Sequence, residues 1–234
     1  MKNMILEGVN VFRVNFSHAN YNSVKKDIAQ IRELSEELGA NIAILADLQG
    51  PKLRVGIMEE GVELQSEDVV SFCTGEEFEG NKERVYMNYD DFPNDVKKGE
   101  RILVDDGKLI FEIISTNGVN EVKTKVIQGG FFKSKKGVNL PNTKLSLPAL
   151  TKKDKKDALF ALDQGVDWIA LSFVRYAKDL KKLQKLIENN SEYKVPIIAK
   201  IEKPEGVANI KKIVQYCDGI MVARGDLGVE FPAE

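Results

Sequence analysis

Residues 196–226 read PIIAKIEKPEGVANIKKIVQYCDGIMVARGD. Two short apolar runs, 196–201 and 219–224, bracket a stretch that opens at Pro204 and carries Val207, Ile210, Ile213 and Val214 along one side. A run, a helical period and a second run make two parallel strands joined by a crossover helix. Runs so short and so rich in Val and Ile are expected to be buried strands. The same texture recurs upstream in Val11–Phe16 (VFRVNF), Ile42–Asp47 (IAILAD) and Trp168–Phe173 (WIALSF). Between these runs, Val24, Ile28, Ile31, Ser35 and Leu38 keep helical spacing up to Gly39, where a helix would stop. Thr151-Lys152-Lys153-Asp154 has the form of a capping box and opens a stretch whose apolar residues Ala158, Leu159 and Leu162 end at Gly165. A further helix carries Leu180, Leu183 and Ile187. Strand alternating with helix predicts an α/β fold, either a parallel sheet or a (β/α)8 barrel.

Strand starts are separated by 31 residues from Val11 to Ile42, 28 from Trp168 to Pro196 and 23 from Pro196 to Gly219, but by 126 from Ile42 to Trp168. About 100 residues are therefore inserted. The insert lacks a helical period. It has short alternating runs at Arg101–Val104, Leu109–Ile114 and Glu121–Ile127, with hairpin signals at Asp106-Gly107 and Asn117-Gly118. The expected organisation is a partial barrel domain over 1–52 and 144–234, interrupted by a small all-β domain over 53–143. A complete barrel takes about 250 residues. The chain starts just before a strand and stops with no helix expected behind the last one. About five of eight strands of a TIM-type barrel are expected, with truncation at both ends.

Composition narrows the function. The 234 residues are 43% hydrophobic and 30% charged, which fills a core and excludes disorder as the main state. A net charge of −2 argues against wrapping nucleic-acid backbone. No apolar run is long enough to span a membrane, and the start Met1–Gly8 is too polar for a secretory signal. Cys73 and Cys217 lack CxxC spacing and are expected to be reduced, buried thiols of a cytoplasmic protein. With His18 the one histidine, most zinc chemistry is excluded.

Ligands of parallel α/β folds bind at the carboxyl ends of the strands. Residues two apart in a strand share a face. Arg13, Asn15 and Ser17 are thus expected on one face, and Lys200 and Glu202 on another. Asp47 ends the second run, and Ala223-Arg224-Gly225-Asp226 ends the last. Cations and carboxylates converging on one mouth suit phosphoryl or carboxylate handling with a divalent metal, because two carboxylates suit Mg2+. A blander reading leaves these charges facing water.

Six motifs carry a resemblance. They are Arg13-Val14-Asn15-Phe16-Ser17-His18, Asp47-Leu48-Gln49-Gly50-Pro51-Lys52-Leu53-Arg54, Lys135-Lys136-Gly137-Val138-Asn139-Leu140-Pro141, Ser172-Phe173-Val174-Arg175, Ala199-Lys200-Ile201-Glu202 and Met221–Glu230. In this order, across nearly the whole chain, they resemble the pyruvate kinase family. That resemblance implies a glycolytic phosphotransferase moving phosphate from phosphoenolpyruvate to ADP, with an inserted β-rich lid. It implies Lys200 on the transferring phosphoryl group, Arg13 on the phosphate and Mg2+ (or Mn2+) on Glu202 and Asp226. The backbone N–H groups at Gly225 and Asp226 would hold the substrate carboxylate. Asn15, Ser17, Asp47 and the Leu48 carbonyl correspond to a monovalent-cation site. Arg54, His18 and Lys136 fall on the nucleotide side. Lys52 stands where many family members needing K+ have glutamate, so its ammonium is expected to replace the ion. The resemblance implies a homotetramer for the intact enzyme, whose last strands and carboxyl-terminal regulatory domain have no counterpart here. The chain alone is expected to be inactive.

Other signals carry less. Arg224-Gly225-Asp226 matches an adhesion tripeptide but ends a strand, and the glycosylation triplets at Asn15 and Asn189 are irrelevant in the cytoplasm. Lys152–Lys156 is interrupted by Asp154 and reads as a solvated helix start. His18 reads equally as a nucleotide contact or a structural hydrogen-bonder. A metal-dependent aldolase or lyase would share the carboxylate pair, and a non-catalytic fragment whose β domain binds a partner is the alternative from another class.

Overall fold

The computed structural model describes residues 1–231. The chain divides into two compact units, Met1–Pro51 with Pro148–Ala223, and Lys52–Leu147 with Arg224–Glu234. Residues 232–234, which close the expected span 144–234, lie outside the described residues.

The first unit runs through α1 (Lys2–Leu6), β1 (Val11–Asn15), α2 (Tyr21–Leu38) and β2 (Ala43–Asp47). Strands β3 (Glu63–Leu64), β4 (Val69–Cys73), β5 (Arg84–Tyr86), β6 (Arg101–Val104), β7 (Leu109–Thr116), β8 (Glu121–Gln128), β9 (Gly130–Phe131) and β10 (Val138–Asn139), with the short α3 (Phe92–Asp95), follow in the second unit. The chain then returns for α4 (Lys152–Asp163), β11 (Trp168–Leu171), α5 (Ala177–Glu188), β12 (Ile197–Ile201), α6 (Pro204–Ala208), α7 (Ile210–Ile213) and β13 (Gly219–Val222). Helix α8 (Arg224–Glu230) belongs to the second unit.

All five strands of the first unit are parallel, in the order β1-β2-β11-β12-β13. This sequential order is that of a barrel, since a doubly wound sheet reverses direction at a switch point. The fold is a partial TIM-type barrel. The two-residue period sorts its side chains. Ile44, Ala46, Ile169, Leu171, Ile197, Ala199 and Ile201 join the buried cluster that takes in Val24, Ile28 and Ile31 of α2 and Leu180, Leu183 and Ile187 of α5. Each such side chain contributes about 1.5–3 kcal/mol relative to exposure. Arg13, Asp47, Ser172, Lys200 and Glu202 have the opposite parity and share the other face.

Local signals place the helices. Asn20 caps α2 by accepting from the N–H groups of Asn22 and Ser23, and Gly39 closes it at φ +60°. Thr151 and Asp154 form the expected capping box of α4.

Several expectations need correction. In α4 the buried stripe is Asp154, Asp157, Ala158 and Ala161, while Leu159 is exposed and Leu162 half-buried. Asp154 is drawn inward by its capping bonds and Asp157 by Tyr21 and Lys153, which turns the alanines to the core. The helix expected after Pro204 breaks into α6, α7 and a 3-10 turn, with Ile213 buried and Val207 and Val214 exposed. The break falls at Asn209, whose φ of −101° and ψ of 9° leave the helical region; its backbone and side-chain N–H groups both donate to the Glu205 carbonyl. A five-residue helix, α1, precedes the first strand, and α8 follows the last. The outermost strands are also not fully buried. Val11, Ile220 and Val222 are exposed, since β1 and β13 each have one neighbour. Cys217 is half-buried, although Cys73 is buried.

The second unit holds a six-stranded sheet, ordered β10-β6-β7-β8-β4-β5, and the pair β3-β9. Here β6 is Arg101–Val104, β7 Leu109–Thr116 and β8 Glu121–Gln128. Both hairpin signals hold. Asp105, Asp106 and Gly107 take positive φ between β6 and β7. Between β7 and β8, the Asn117 side chain accepts from the N–H groups of Val119, Asn120 and Glu121. Phe72, Phe92, Phe111 and Phe132 fill the core. The expectation of no helix in this segment misses α3, a single turn.

Candidate active site

Four strand ends of the first unit meet around one ammonium. Lys200, in β12, places Nζ 3.1 Å from Asp47 Oδ1, 3.1 Å from Glu202 Oε1 and 2.8 Å from Ser172 Oγ. The ammonium donates to Ser172 Oγ and, at 3.5 Å, to Asp47 Oδ2, and both carboxylates balance its charge. Asp47 is 2% exposed and Glu202 1%, so both carboxylates are withdrawn from water. Arg13 of β1 donates from Nε to Asp47 Oδ2 at 2.7 Å and lays Nη2 2.6 Å from the same oxygen. The Arg13 side chain is half exposed.

Two cations against two carboxylates leave this cluster neutral. Opposite charges in a low-dielectric site stabilise one another, but removing one strands its partner at a cost of about 3–5 kcal/mol. Parallel register puts them together. Arg13 pairs with Leu45, Asn15 with Asp47 and Ala170 with Ile198, so residues of equal parity line up across the sheet. The expected shared face of Lys200 and Glu202 is what the strand shows.

Past its last residue each strand is held by polar backbone contacts. Ser172 Oγ donates to the Leu48 carbonyl at 2.7 Å, and the Phe173 N–H donates to Glu202 Oε2 at 2.7 Å. Phe173 takes φ +54°, a left-handed conformation costly for an aromatic residue. Gly50, at φ +71°, packs against this turn. A Cβ there would stand 2.8 Å from Phe173 Cδ2 and 3.1 Å from Ser172 Cβ. Its N–H donates to Asp154 Oδ1 at 3.0 Å, linking the turn to the cap of α4.

The other expected site residues divide by unit. Asn15 Oδ1 accepts the Ser17 N–H at 3.0 Å. Ser17 sits in the turn after β1, so strand parity does not carry it to the face of Arg13 and Asn15, which corrects the sequence expectation. His18 is exposed. In the second unit, Arg54 Nη1 donates to the Lys135 carbonyl at 2.9 Å, and Lys136 Nζ lies 2.9 Å from Asp105 Oδ1. The hydrogen bond from Lys136 is the main cause holding the Asp105 carboxyl below its usual value. Lys52 is half-buried. Gly225 and Asp226 are exposed in the first turn of α8.

Among the described residues no group of three His, Cys, Asp or Glu is arranged to hold a metal ion. The donor chemistry still fits Mg2+. Glu202 brings a buried carboxylate to this mouth, and Mg2+ takes one or two carboxylates plus water and substrate oxygens.

Sequence reasoning gave no role to Ser172, Phe173 or Gly50. Ser172 carried a signal, since it continues the period Trp168, Ala170, Ser172 onto the Lys200 face. The Phe173 and Gly50 contacts are backbone geometry, which side-chain patterns do not encode.

A family model described as pyruvate kinase, barrel domain, matches residues 1–234. The chain is 45% identical to the pyruvate kinase of Geobacillus stearothermophilus over 97% of its own length and 39% of that protein's. It is 42% identical to that of Corynebacterium glutamicum, covering 99% and 48%, and 40% identical to that of Clostridium perfringens, covering 100% and 49%. It therefore spans less than half the length of these curated relatives.

Proposed function

The chain belongs to the pyruvate kinase family, and from that membership and the charge pattern around Lys200 we propose that it forms the phosphoryl-handling part of an enzyme moving phosphate from phosphoenolpyruvate to ADP. The observation carrying this reading is the Lys200 ammonium, 11% exposed and set 3.1 Å from each of two buried carboxylates, with Arg13 beside it. Phosphoryl transfer needs positioned cations on a charge in flight, in a site that excludes water. Lys200 supports the transferring group and Arg13 binds its phosphate oxygens. The N–H groups at Gly225 and Asp226, first-turn donors of α8, hold the substrate carboxylate. Glu202 and Asp226 hold Mg2+ (or Mn2+), which supplies Lewis-acid charge to substrate oxygens. Arg54, His18 and Lys136 take the nucleotide side.

Residues 1–52 and 144–234 act as the partial catalytic barrel, and 53–143 as its lid. The setting is cytoplasmic, with no helix of the described residues long and apolar enough to cross a membrane, and the intact enzyme is a homotetramer. Asn15, Ser17, Asp47 and the Leu48 carbonyl form the monovalent-cation site, and the Lys52 ammonium stands in for K+, so the enzyme works without added K+. The chain alone is inactive.

The test uses the whole enzyme, meaning this sequence together with the remaining length its relatives carry. ATP formed from phosphoenolpyruvate and ADP, lost in Lys200→Met and in Glu202→Ala, is the expected result. Pyruvate and free phosphate released without ATP would indicate hydrolysis instead, and no ADP-dependent loss of phosphate from phosphoenolpyruvate would favour an aldolase or lyase. A rate rising many-fold on adding K+ would remove Lys52 from the cation site.

A further inference from the structure

We propose that Ser172 is the positioning residue of Lys200, fixing its ammonium through a hydroxyl whose proton is committed elsewhere. This rests on the phosphotransfer role given to Lys200 above. Ser172 is 2% exposed and leaves β11 on the face shared by Asp47, Lys200 and Glu202. A serine hydroxyl has one proton and two lone pairs. The proton goes to the Leu48 carbonyl at 2.7 Å, so the oxygen can only accept from Lys200 Nζ, 2.8 Å away. The two carboxylates lie 3.1 Å from Nζ as ion pairs, and the neutral oxygen, at 2.8 Å, is nearer than either. Attraction to Asp47 and Glu202 supplies charge balance; the hydroxyl supplies a direction. Its own place is set from behind, because Gly50 leaves no Cβ against Ser172 and the left-handed Phe173 is tied to Glu202 by its N–H. One turn thereby fixes both Lys200 and Glu202. A displacement of about 1 Å at a reacting group costs on the order of 100-fold in rate, so this support acts on turnover rather than on substrate binding.

The test compares Ser172→Ala with Ser172→Thr, which keeps the hydroxyl. In the whole enzyme, Ser172→Ala is expected to lower kcat by about 10- to 100-fold with the KM for phosphoenolpyruvate within about threefold, and Ser172→Thr to recover most of kcat. A second readout needs no turnover. Carbamylation of Lys200 by cyanate, followed by peptide mass spectrometry, is expected to speed up several-fold in Ser172→Ala and to stay near the unsubstituted rate in Ser172→Thr. Should Ser172→Ala not fold, Ser172→Cys provides the same contrast, with a weaker acceptor of similar size. The proposal is overturned if kcat and Lys200 labelling are unchanged on losing the hydroxyl, or if kcat falls only in step with Tm while labelling stays constant. An unsubstituted enzyme making no ATP would sink the phosphotransfer reading, and the labelling contrast would still decide the role of Ser172.

Discussion

Gly50→Ala places a methyl group where the turn under the site has no room. The new Cβ would lie 2.8 Å from Phe173 Cδ2, 3.1 Å from Ser172 Cβ and 3.3 Å from the Ser172 carbonyl, at φ +71°. The left-handed conformation costs an alanine about 1–2 kcal/mol. Overpacking a close contact adds about 1–3 kcal/mol, since the neighbours are a backbone carbonyl and a ring held by its own strained backbone. The expected loss is about 2–5 kcal/mol. Trp168, the one tryptophan, lies in β11, so its fluorescence follows the first unit during urea unfolding. With a slope of about 2 kcal/mol per molar urea, the midpoint should fall by about 1–2.5 M. Gly39→Ala is the control. It has φ +60° with nothing within 4 Å, so it pays the backbone cost without the clash. If the two variants lower the midpoint equally, the close approach of Gly50 to the 172–173 turn contributes nothing and the packing argument fails.

Thr151→Ala removes the oxygen that accepts the Asp154 N–H at 3.1 Å and should cost the first unit about 1 kcal/mol by the same fluorescence assay. Tyr89 is pushed up to about 12, first by burial and then by its hydrogen bond to Asp95. Folding therefore favours the neutral phenol, and this stability is complete below the ordinary value near 10 and lost as pH rises towards 12. Titration of absorbance at 295 nm should show late ionisation that diminishes in Tyr89→Phe; an unchanged curve would refute the assignment. For Asp105, held down by Lys136 and then Lys108, the sign is opposite: its contribution is present above about pH 4 and lost as pH falls through the lowered folded value. Lys136→Met should move the Asp105 carboxyl titration upward by NMR.

The alternation of apolar runs with helical periods makes the barrel strands legible, and parity within them places Lys200 and Glu202 together. Arg13 and Asp47 were legible as strand-end charges, but their bond depends on register between strands, which sequence spacing does not supply. The helix after Pro204 misled because its apolar period is real, yet the backbone leaves the helical region at Asn209, a dihedral change that the period does not encode. Leu159 misled for a related reason: polar bonds at Thr151, Asp154 and Asp157 set the rotation of α4 against the pull of hydrophobicity. Phe173 and Gly50 lay beyond reach, since their contribution is a dihedral angle and an empty volume.

The parallel pairing of β2 with β11 has a consequence for the timing of synthesis. Ala46 and Ile169 are register partners across 123 residues of chain, most of them in the second unit. At about 5–20 residues per second, β2 waits roughly 6–25 s on the ribosome before its partner exists. During that interval the hairpins of the insert, whose partners are near in sequence, can already close. The Ile44, Leu45 and Ala46 segment meanwhile has β1 on one side and an open hydrogen-bonding edge on the other. For a nascent chain, the vulnerable element is therefore a strand that ends in the middle of the finished sheet.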